Sequence, residues 1–336
     1  MKDFVSFRSM SGRKASFESI SSRFSGHLDG LKSYLKSQAA AFGDEIRDSA
    51  AQCVSPQGKY LRPLLAFSCA PSCGADDARL LNRAATVELI HLASLIHDDV
   101  IDNADLRRGS ETAFKRFGAR TAVLLGDAIF ARAMQMAFLE DDSSVWSRSV
   151  DAVKTLCEGE IRQSLARSAK CDMRRYLSVI EGKTASLFEF ACFMGASLES
   201  GSDSPWARAA EEAGRRLGRA YQMYDDVCDW TMTEKESGKT SGTDFIFEKH
   251  TLPVLILLES LPEGDAERLS AHINGTPMES LRRMMRERRV IERCADFFDD
   301  EIRAALGAVA AFPEKNGPMK EFCREMTAIM PRSSDL

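Results

Sequence analysis

Apolar residues recur along this 336-residue chain mostly at helical rather than alternating spacing. Between residues 83 and 102, Val87, Ile90, Leu92, Leu95, Ile96 and Val100 mix with Ala and Ser and leave little all-polar face. That pattern marks a helix enclosed by other helices. Similar stretches cover residues 119–139, 145–165, 173–198 and 207–230, with another at 252–261 and weaker ones over 278–310. Short polar breaks separate them, and neither an internal repeat nor a Gly/Ser linker parts two domains. The pattern therefore predicts an all-α, single-domain bundle of about ten or more helices. Residues 231–249, with Gly238, Gly242 and several charges, interrupt it and read as a loop of functional size. Residues 1–25 are rich in Ser and Arg and lack an apolar segment, which argues for an unstructured tail rather than a secretory signal. The domain would then span residues 26–336.

Composition narrows the functional class. Ten prolines and few clustered β-branched or aromatic residues favour helices over sheet. The net charge of −5 provides no positive field for a nucleic acid. No stretch approaches 18 uninterrupted apolar residues, so no transmembrane segment is expected. Nine cysteines, without a Cys-x-x-Cys pair, read as buried small hydrophobes in a reducing, cytoplasmic compartment.

The sharpest chemical feature is Asp98-Asp99-Val100-Ile101-Asp102 at the end of the central helix. Asp98 and Asp102 are four apart and share a helix face, so they repel unless a cation lies between them. Aspartates are also poor helix formers and oppose the negative end of the helix dipole, a double penalty that marks a functional site. Asp225-Asp226-Val227-Cys228-Asp229 repeats the spacing on a second apolar helix. Two such clusters suggest opposed walls of one cavity. Mg²⁺ prefers a few carboxylates together with substrate phosphates, so the ligand is expected to be phosphorylated. Asp76-Asp77, Asp141-Asp142 and the aspartates of 296–300 lie in polar surroundings and read as solvated faces. Cations stand where an anionic substrate needs them: Lys59 and Arg62, Arg107 and Arg108, Lys183 in an apolar helix, and Lys239 and Lys249 about the Gly-rich loop.

These residues resemble the trans-isoprenyl diphosphate synthases, or polyprenyl synthetases, of long-chain type. The resemblance runs through Gly58-Lys59-x-x-Arg62-Pro63, His91 with His97-Asp98-Asp99-x-x-Asp102, Arg107-Arg108-Gly109, Gly126-Asp127, Lys183-Thr184, Gln222 with Asp225-Asp226-x-x-Asp229, Gly238-Lys239-x-x-Gly242-x-Asp244 and Lys249-x-Thr251-Leu252-Pro253. Cys228, Trp230 and Glu248-Lys249-His250 depart from the commoner pattern without removing a charged ligand. The resemblance implies an isoprenoid synthase fold around a central cavity, a homodimer, and transient membrane contact for product release. It implies head-to-tail condensation of isopentenyl diphosphate onto an allylic prenyl diphosphate, serving quinone side chains. About three Mg²⁺ would be held by Asp98, Asp102 and Asp225, with Asp99, Asp226 and Asp229 secondary or water-mediated. Arg107, Lys183, Thr184, Gln222, Lys239 and Lys249 would bind the allylic diphosphate, and Lys59, Arg62, His91 and Arg108 the isopentenyl diphosphate. Asp98, Asp102, Asp225, Lys183 and Arg107 would form the catalytic set.

Ala93 and Ser94 lie one turn before the first aspartate, where family members that stop early place an aromatic residue. Their small size predicts a product of about 30 carbons or more, because one helical turn roughly matches one isoprene unit. The floor would lie deeper, at Ile90, Val87, Met134 or Phe138. Alternatives are a short-chain synthase, a class I terpene cyclase, which needs no second diphosphate site, a non-catalytic partner subunit, which would be expected to lose an aspartate cluster, and a di-iron bundle. Glu88-x-x-His91 has di-iron spacing, but no second copy occurs.

Overall fold

The computed structural model describes residues 17–54, 58–107, 109–165, 172–231 and 251–332. Its first helices are α1 (Glu18–Arg23), α2 (Ser25–Gln38), α3 (Asp44–Cys53) and α4 (Leu61–Cys69). The tail expected over residues 1–25 is therefore corrected from Phe17 onward. Phe17, Ile20 and Phe24 are buried, and Glu325 accepts from the backbone of Ser19 and Ile20. Three apolar residues spaced for one helix face give this segment a reason to fold that its Ser and Arg content conceals.

The central helix α5 spans Ala78–Ile101. Asp77 starts it, its carboxylate accepting from the Arg79 and Leu80 amides, each at 3.0 Å. Asn103, at φ 49°, ends it: its amide donates to Val100 O and the Ala104 amide to Asp99 O, which closes the last carbonyls in a Schellman arrangement. A short antiparallel hairpin follows, β1 (Leu106–Arg107) with β2 (Ser110–Glu111). Then come α6 (Ala113–Phe117), α7 (Ala119–Phe138) and α8 (Ser143–Leu165).

The single helix expected over 173–198 is α9 (Met173–Ile180) and α10 (Ser186–Ser200), joined by one π turn at Glu181–Ala185. The long helix α11 covers Pro205–Thr231. After the interval 232–250 lie α12 (Leu252–Glu259), α13 (Glu263–His272), α14 (Met278–Glu287), α15 (Val290–Ala308) and α16 (Gly317–Ile329). The all-α bundle of ten or more helices is thus the observed fold.

Two packings position the site. Along α5, Val87, Leu89, Ile90 and Ala93 are fully buried against neighbouring helices. Helix α10 is buried along most of Ser186 to Ser197 and lies against α4, where a Cβ on Gly195 would sit 1.9 Å from Ala66 O. A buried ion pair ties these layers together. Arg83 of α5 donates to Glu140 at 2.9 Å, to Met194 O at 3.1 Å and to Ser197 Oγ at 2.8 Å.

By length and composition alone α7 could cross a membrane; Ala122, Ile129, Ala133 and Ala137 along it are buried in the core, whereas Leu124 and Phe138 are exposed. Of the described cysteines, Cys69, Cys192, Cys228, Cys294 and Cys323 are buried as expected, whereas Cys157 is exposed. Phe138, considered for the floor of the product passage, is corrected: it is 67% exposed on the outer face of α7 and meets the Trp146 ring edge-on.

Candidate active site

The first aspartate cluster occupies the last turn of α5. Burial, acting before any charge, pushes Asp98 up to about 6; Lys183 and Arg107 pull it down while Glu160 and Asp102 push it further up. These groups therefore share one space. Asp102 caps the helix, its amide donating to Asp98 O at 2.8 Å. Asp99 is buried and accepts from Arg107 Nε at 2.7 Å, an arrangement made by the hairpin that folds back on the helix end. The His97 ring rests on Gly126 of α7, where a Cβ would lie 2.2 Å from Nε2, and Nε2 meets Asp127 at 3.4 Å.

The second cluster lies in the last two turns of α11. Asp226 is buried and accepts from Tyr176 Oη at 2.8 Å, Gln222 Nε2 at 2.9 Å and the Leu252 amide at 3.1 Å. Burial nevertheless raises it to about 7. Both of its oxygens hold protein donors, so its evident work is to join α9, α11 and the start of α12. Asp225 and Asp229, its neighbours on the helix, are only half-buried.

The π turn links the two clusters. Lys183 Nζ donates to Glu160 at 2.8 Å and to Gln163 at 3.1 Å, and its charge acts on Asp98. The next residue, Thr184, donates to Gln222 Oε1 at 2.7 Å, and Gln222 in turn holds Asp226. Two adjacent residues thus bear on the two aspartate clusters, Lys183 by charge on Asp98 and Thr184 through Gln222 on Asp226.

Glu160 and Gln163 of α8 are site neighbours that sequence reasoning misses. Their spacing on an ordinary amphipathic helix carries no mark, and only the fold brings them to Lys183.

The separate cationic motif opens α4. Tyr60 stands in the left-handed region at φ 50° and turns the chain into the helix, a conformation that costs energy for a residue with a side chain. Lys59, before it, is exposed and lies close enough to work against the burial that pushes the Cys228 thiol up to about 12. The Arg62 guanidinium lies 5.0 Å from the centre of the Phe188 ring, which packs on Tyr221 of α11. His91 is half-buried, and its carbonyl accepts from Ser94 Oγ at 2.8 Å. Ala93 and Ile90 are fully buried, and Met134 packs at the edge of the core. Arg108, Lys239 and Lys249 lie outside the described residues. Of the acidic pairs read as solvated, Asp77 and Asp142 accept backbone amides near helix starts and Asp299 pairs with Arg332 at 2.5 Å.

The chain matches the profile of the polyprenyl synthetase family over residues 44–287. It is 34% identical over 265 residues to octaprenyl diphosphate synthase of Haemophilus influenzae, covering 76% of this chain and 79% of that one. It is 34% identical over 222 residues to geranylgeranyl diphosphate synthase of Methanosarcina mazei, covering 64% and 68%. Among solved structures, a polyprenyl synthase of Caulobacter crescentus, complexed with calcium and isoprenyl diphosphate, superposes with a TM-score of 0.82 at 30% identity over 96% of this chain and 100% of that one. With both aspartate clusters carried on helices of this shared all-α fold, the chain belongs to the polyprenyl synthetase family and is a prenyltransferase that elongates prenyl chains.

Proposed function

We propose that this protein condenses isopentenyl diphosphate head to tail onto an allylic prenyl diphosphate, with Mg²⁺, and releases a long all-trans product for quinone side chains. The observation that supports the site assignment is the π turn, whose Lys183 pairs with Glu160 and acts by charge on Asp98 while Thr184 donates to Gln222. The long product is supported by Ala93 and Ser94, small residues in the helical turn before Asp98. An extension to about 30 carbons or more needs that turn open, since one turn rises about 5.4 Å, close to one isoprene unit.

Among the described residues no three side chains gather to hold a metal by themselves, so a divalent cation here would be shared with substrate phosphates. Asp98 and Asp102 crowd one helix end with Glu160 nearby, and such carboxylates with substrate phosphates are the donor set Mg²⁺ prefers. Asp98, Asp102 and Asp225 would hold it, and when bound it supplies neutralisation of the departing diphosphate. Lys183, Arg107, Thr184 and Gln222 add fixed donors for the allylic diphosphate, whose charge grows as the allylic bond ionises. Lys59, Arg62, His91 and Arg108 would hold isopentenyl diphosphate with its double bond toward the allylic carbon. Addition forms the new carbon–carbon bond, and loss of a proton, for which the released diphosphate is the acceptor, completes the cycle. Lys239 and Lys249 complete the allylic set on this reading.

The partner proposed is a second copy. Trp146, Val150, Cys157, Ile161 and Leu165 form an exposed, mainly apolar stripe along α8, beside Leu124 and Phe138 of α7. A homodimer would cover such a patch.

The test is incubation of the purified chain with Mg²⁺, farnesyl diphosphate and labelled isopentenyl diphosphate, followed by sizing of the products. Long-chain alcohols after dephosphorylation are expected. Asp98→Ala should lower turnover by several orders of magnitude while the fold survives; turnover equal to wild type would sink the assignment.

A further inference from the structure

Between α9 and α10 the chain makes one π turn, Glu181–Ala185, and this turn carries Lys183 and Thr184. Single π turns within α-helices are rare and frequently mark functional sites. The wider turn sends the Ser186 amide to Glu181 O, one residue further back than an α-helix would, and the Ser186 hydroxyl takes up the Gly182 carbonyl at 2.6 Å. What keeps the turn in place lies in its neighbours.

Backbone meets it on two sides. On α8, a Cβ added to Gly159 would lie 2.5 Å from Lys183 N and 2.7 Å from Gly182 C. On α11, a Cβ added to Gly218 would lie 2.4 Å from Ala185 Cα. Neither gap admits a methyl group, so these glycines set how closely two helices grip the turn. The third hold is ionic. Glu181, the first residue of the turn, meets Arg215 Nη1 and Arg219 Nη2, each at 2.8 Å. Arg219 is largely buried and is itself braced by Glu301 of α15 at 3.4 Å.

We propose that Gly159, Gly218 and Glu181 are positioning residues: they hold the π turn so that Lys183 stays on Glu160 and Gln163 while Thr184 reaches Gln222. None of the three touches a reacting atom on this reading. The proposal rests on the assignment of Lys183 and Thr184 to the allylic diphosphate, and it adds what fixes their position.

The variants are Gly159→Ala, Gly218→Ala, Glu181→Gln and Glu181→Asp, with Lys183→Ala as reference. A methyl at Gly159 requires the turn to retreat by about 1 Å, and a misplacement of that size costs roughly 100-fold in rate. Gly159→Ala should therefore lower kcat/KM for the allylic primer by about that factor while KM for isopentenyl diphosphate changes less than about twofold. Glu181→Gln should shift the same parameter in the same direction by less, and Glu181→Asp should restore part of the loss. Calorimetric titration of inorganic pyrophosphate in the presence of Mg²⁺ gives a readout apart from turnover, and binding should weaken in step with the allylic parameter. If Gly159→Ala does not fold, Glu181→Gln still decides, because its side chain is partly exposed and its loss leaves the core intact. A lowered melting temperature with unchanged kinetics and pyrophosphate binding in the folded variants would overturn the proposal and leave these residues a purely packing role. If Lys183→Ala itself leaves the allylic parameters unchanged, the assignment of the site fails first, and this proposal with it.

Discussion

Replacing Ala93 by Phe tests the product-length reading directly. Ala93 is fully buried on α5 and lies five residues before Asp98, about 7.5 Å along the helix axis at about 1.5 Å per residue. One extended isoprene unit spans about 5 Å, the length of four carbon–carbon bonds in zigzag. A benzyl group at this position would thus block a chain growing along α5 after its first units. The main product should therefore shorten, to about 20 carbons or fewer. The larger side chain also strains the surroundings of the fully buried Ala93, at a cost of about 1–3 kcal/mol. That should lower the melting temperature by about 2–12 °C, since each kcal/mol is worth roughly 2–4 °C in a large domain. The assay is incorporation of labelled isopentenyl diphosphate, then dephosphorylation and chromatographic sizing of the alcohols. An active Ala93→Phe enzyme with the wild-type product distribution would refute the reasoning and reduce Ala93 and Ser94 to helix-packing residues.

Other expectations follow from other parts of the molecule. Lys59→Ala should raise KM for isopentenyl diphosphate about 10- to 150-fold, the equivalent of a lost charge-assisted hydrogen bond, and that for the allylic primer far less; two-substrate kinetics measure both, and equal effects would refute the partition into two diphosphate sites. Arg83→Met should destabilise the fold by up to about 3–5 kcal/mol in urea unfolding, because it leaves Glu140, only 5% exposed, with only the Asn82 side-chain amide at 2.7 Å and the more distant Arg79 at 4.0 Å; a loss below about 1 kcal/mol would show that the pair is not what joins α5, α7 and α10. Glu189 of α10 is raised to about 7, by burial first and then by Glu211, with Arg215 and Arg148 opposing and Glu181 adding to the rise. Its protonated form is retained in the fold while the unfolded chain ionises near 4.5, so its contribution is full below that pH and is lost as pH rises toward 7. Glu189→Gln should therefore raise the melting temperature relative to wild type more at pH 8 than at pH 5, and a constant difference would contradict the assignment.

The helices and both aspartate clusters are legible in the sequence because they obey or violate local rules strongly: apolar periodicity over twenty residues, and acidic residues where a helix end disfavours them. The π turn is not. One added residue inside the apolar run 173–198 leaves the periodicity nearly intact, and its causes, Gly159 and Gly218, lie on other helices. Glu160 and Gln163 escape for a related reason, since their partner Lys183 is distant in sequence. Asp226 reads like its neighbours in sequence, yet Tyr176 and Leu252 turn it into an anchor. Phe17, Ile20 and Phe24 are hidden by the polar composition around them.

The π turn also fixes a phase. Successive residues of an α-helix advance by about 100°, so one extra residue rotates everything before it by about that angle relative to everything after. Tyr176 points to Asp226 across this slip, whereas α10, after it, is buried on nearly every side. Shortening Glu181–Ala185 by one residue would let the two helices run on as one and swing Tyr176 about a quarter-turn away from Asp226. The length of the turn is therefore a constraint separate from its side chains: the second aspartate cluster is kept in register by a count of residues some forty positions upstream.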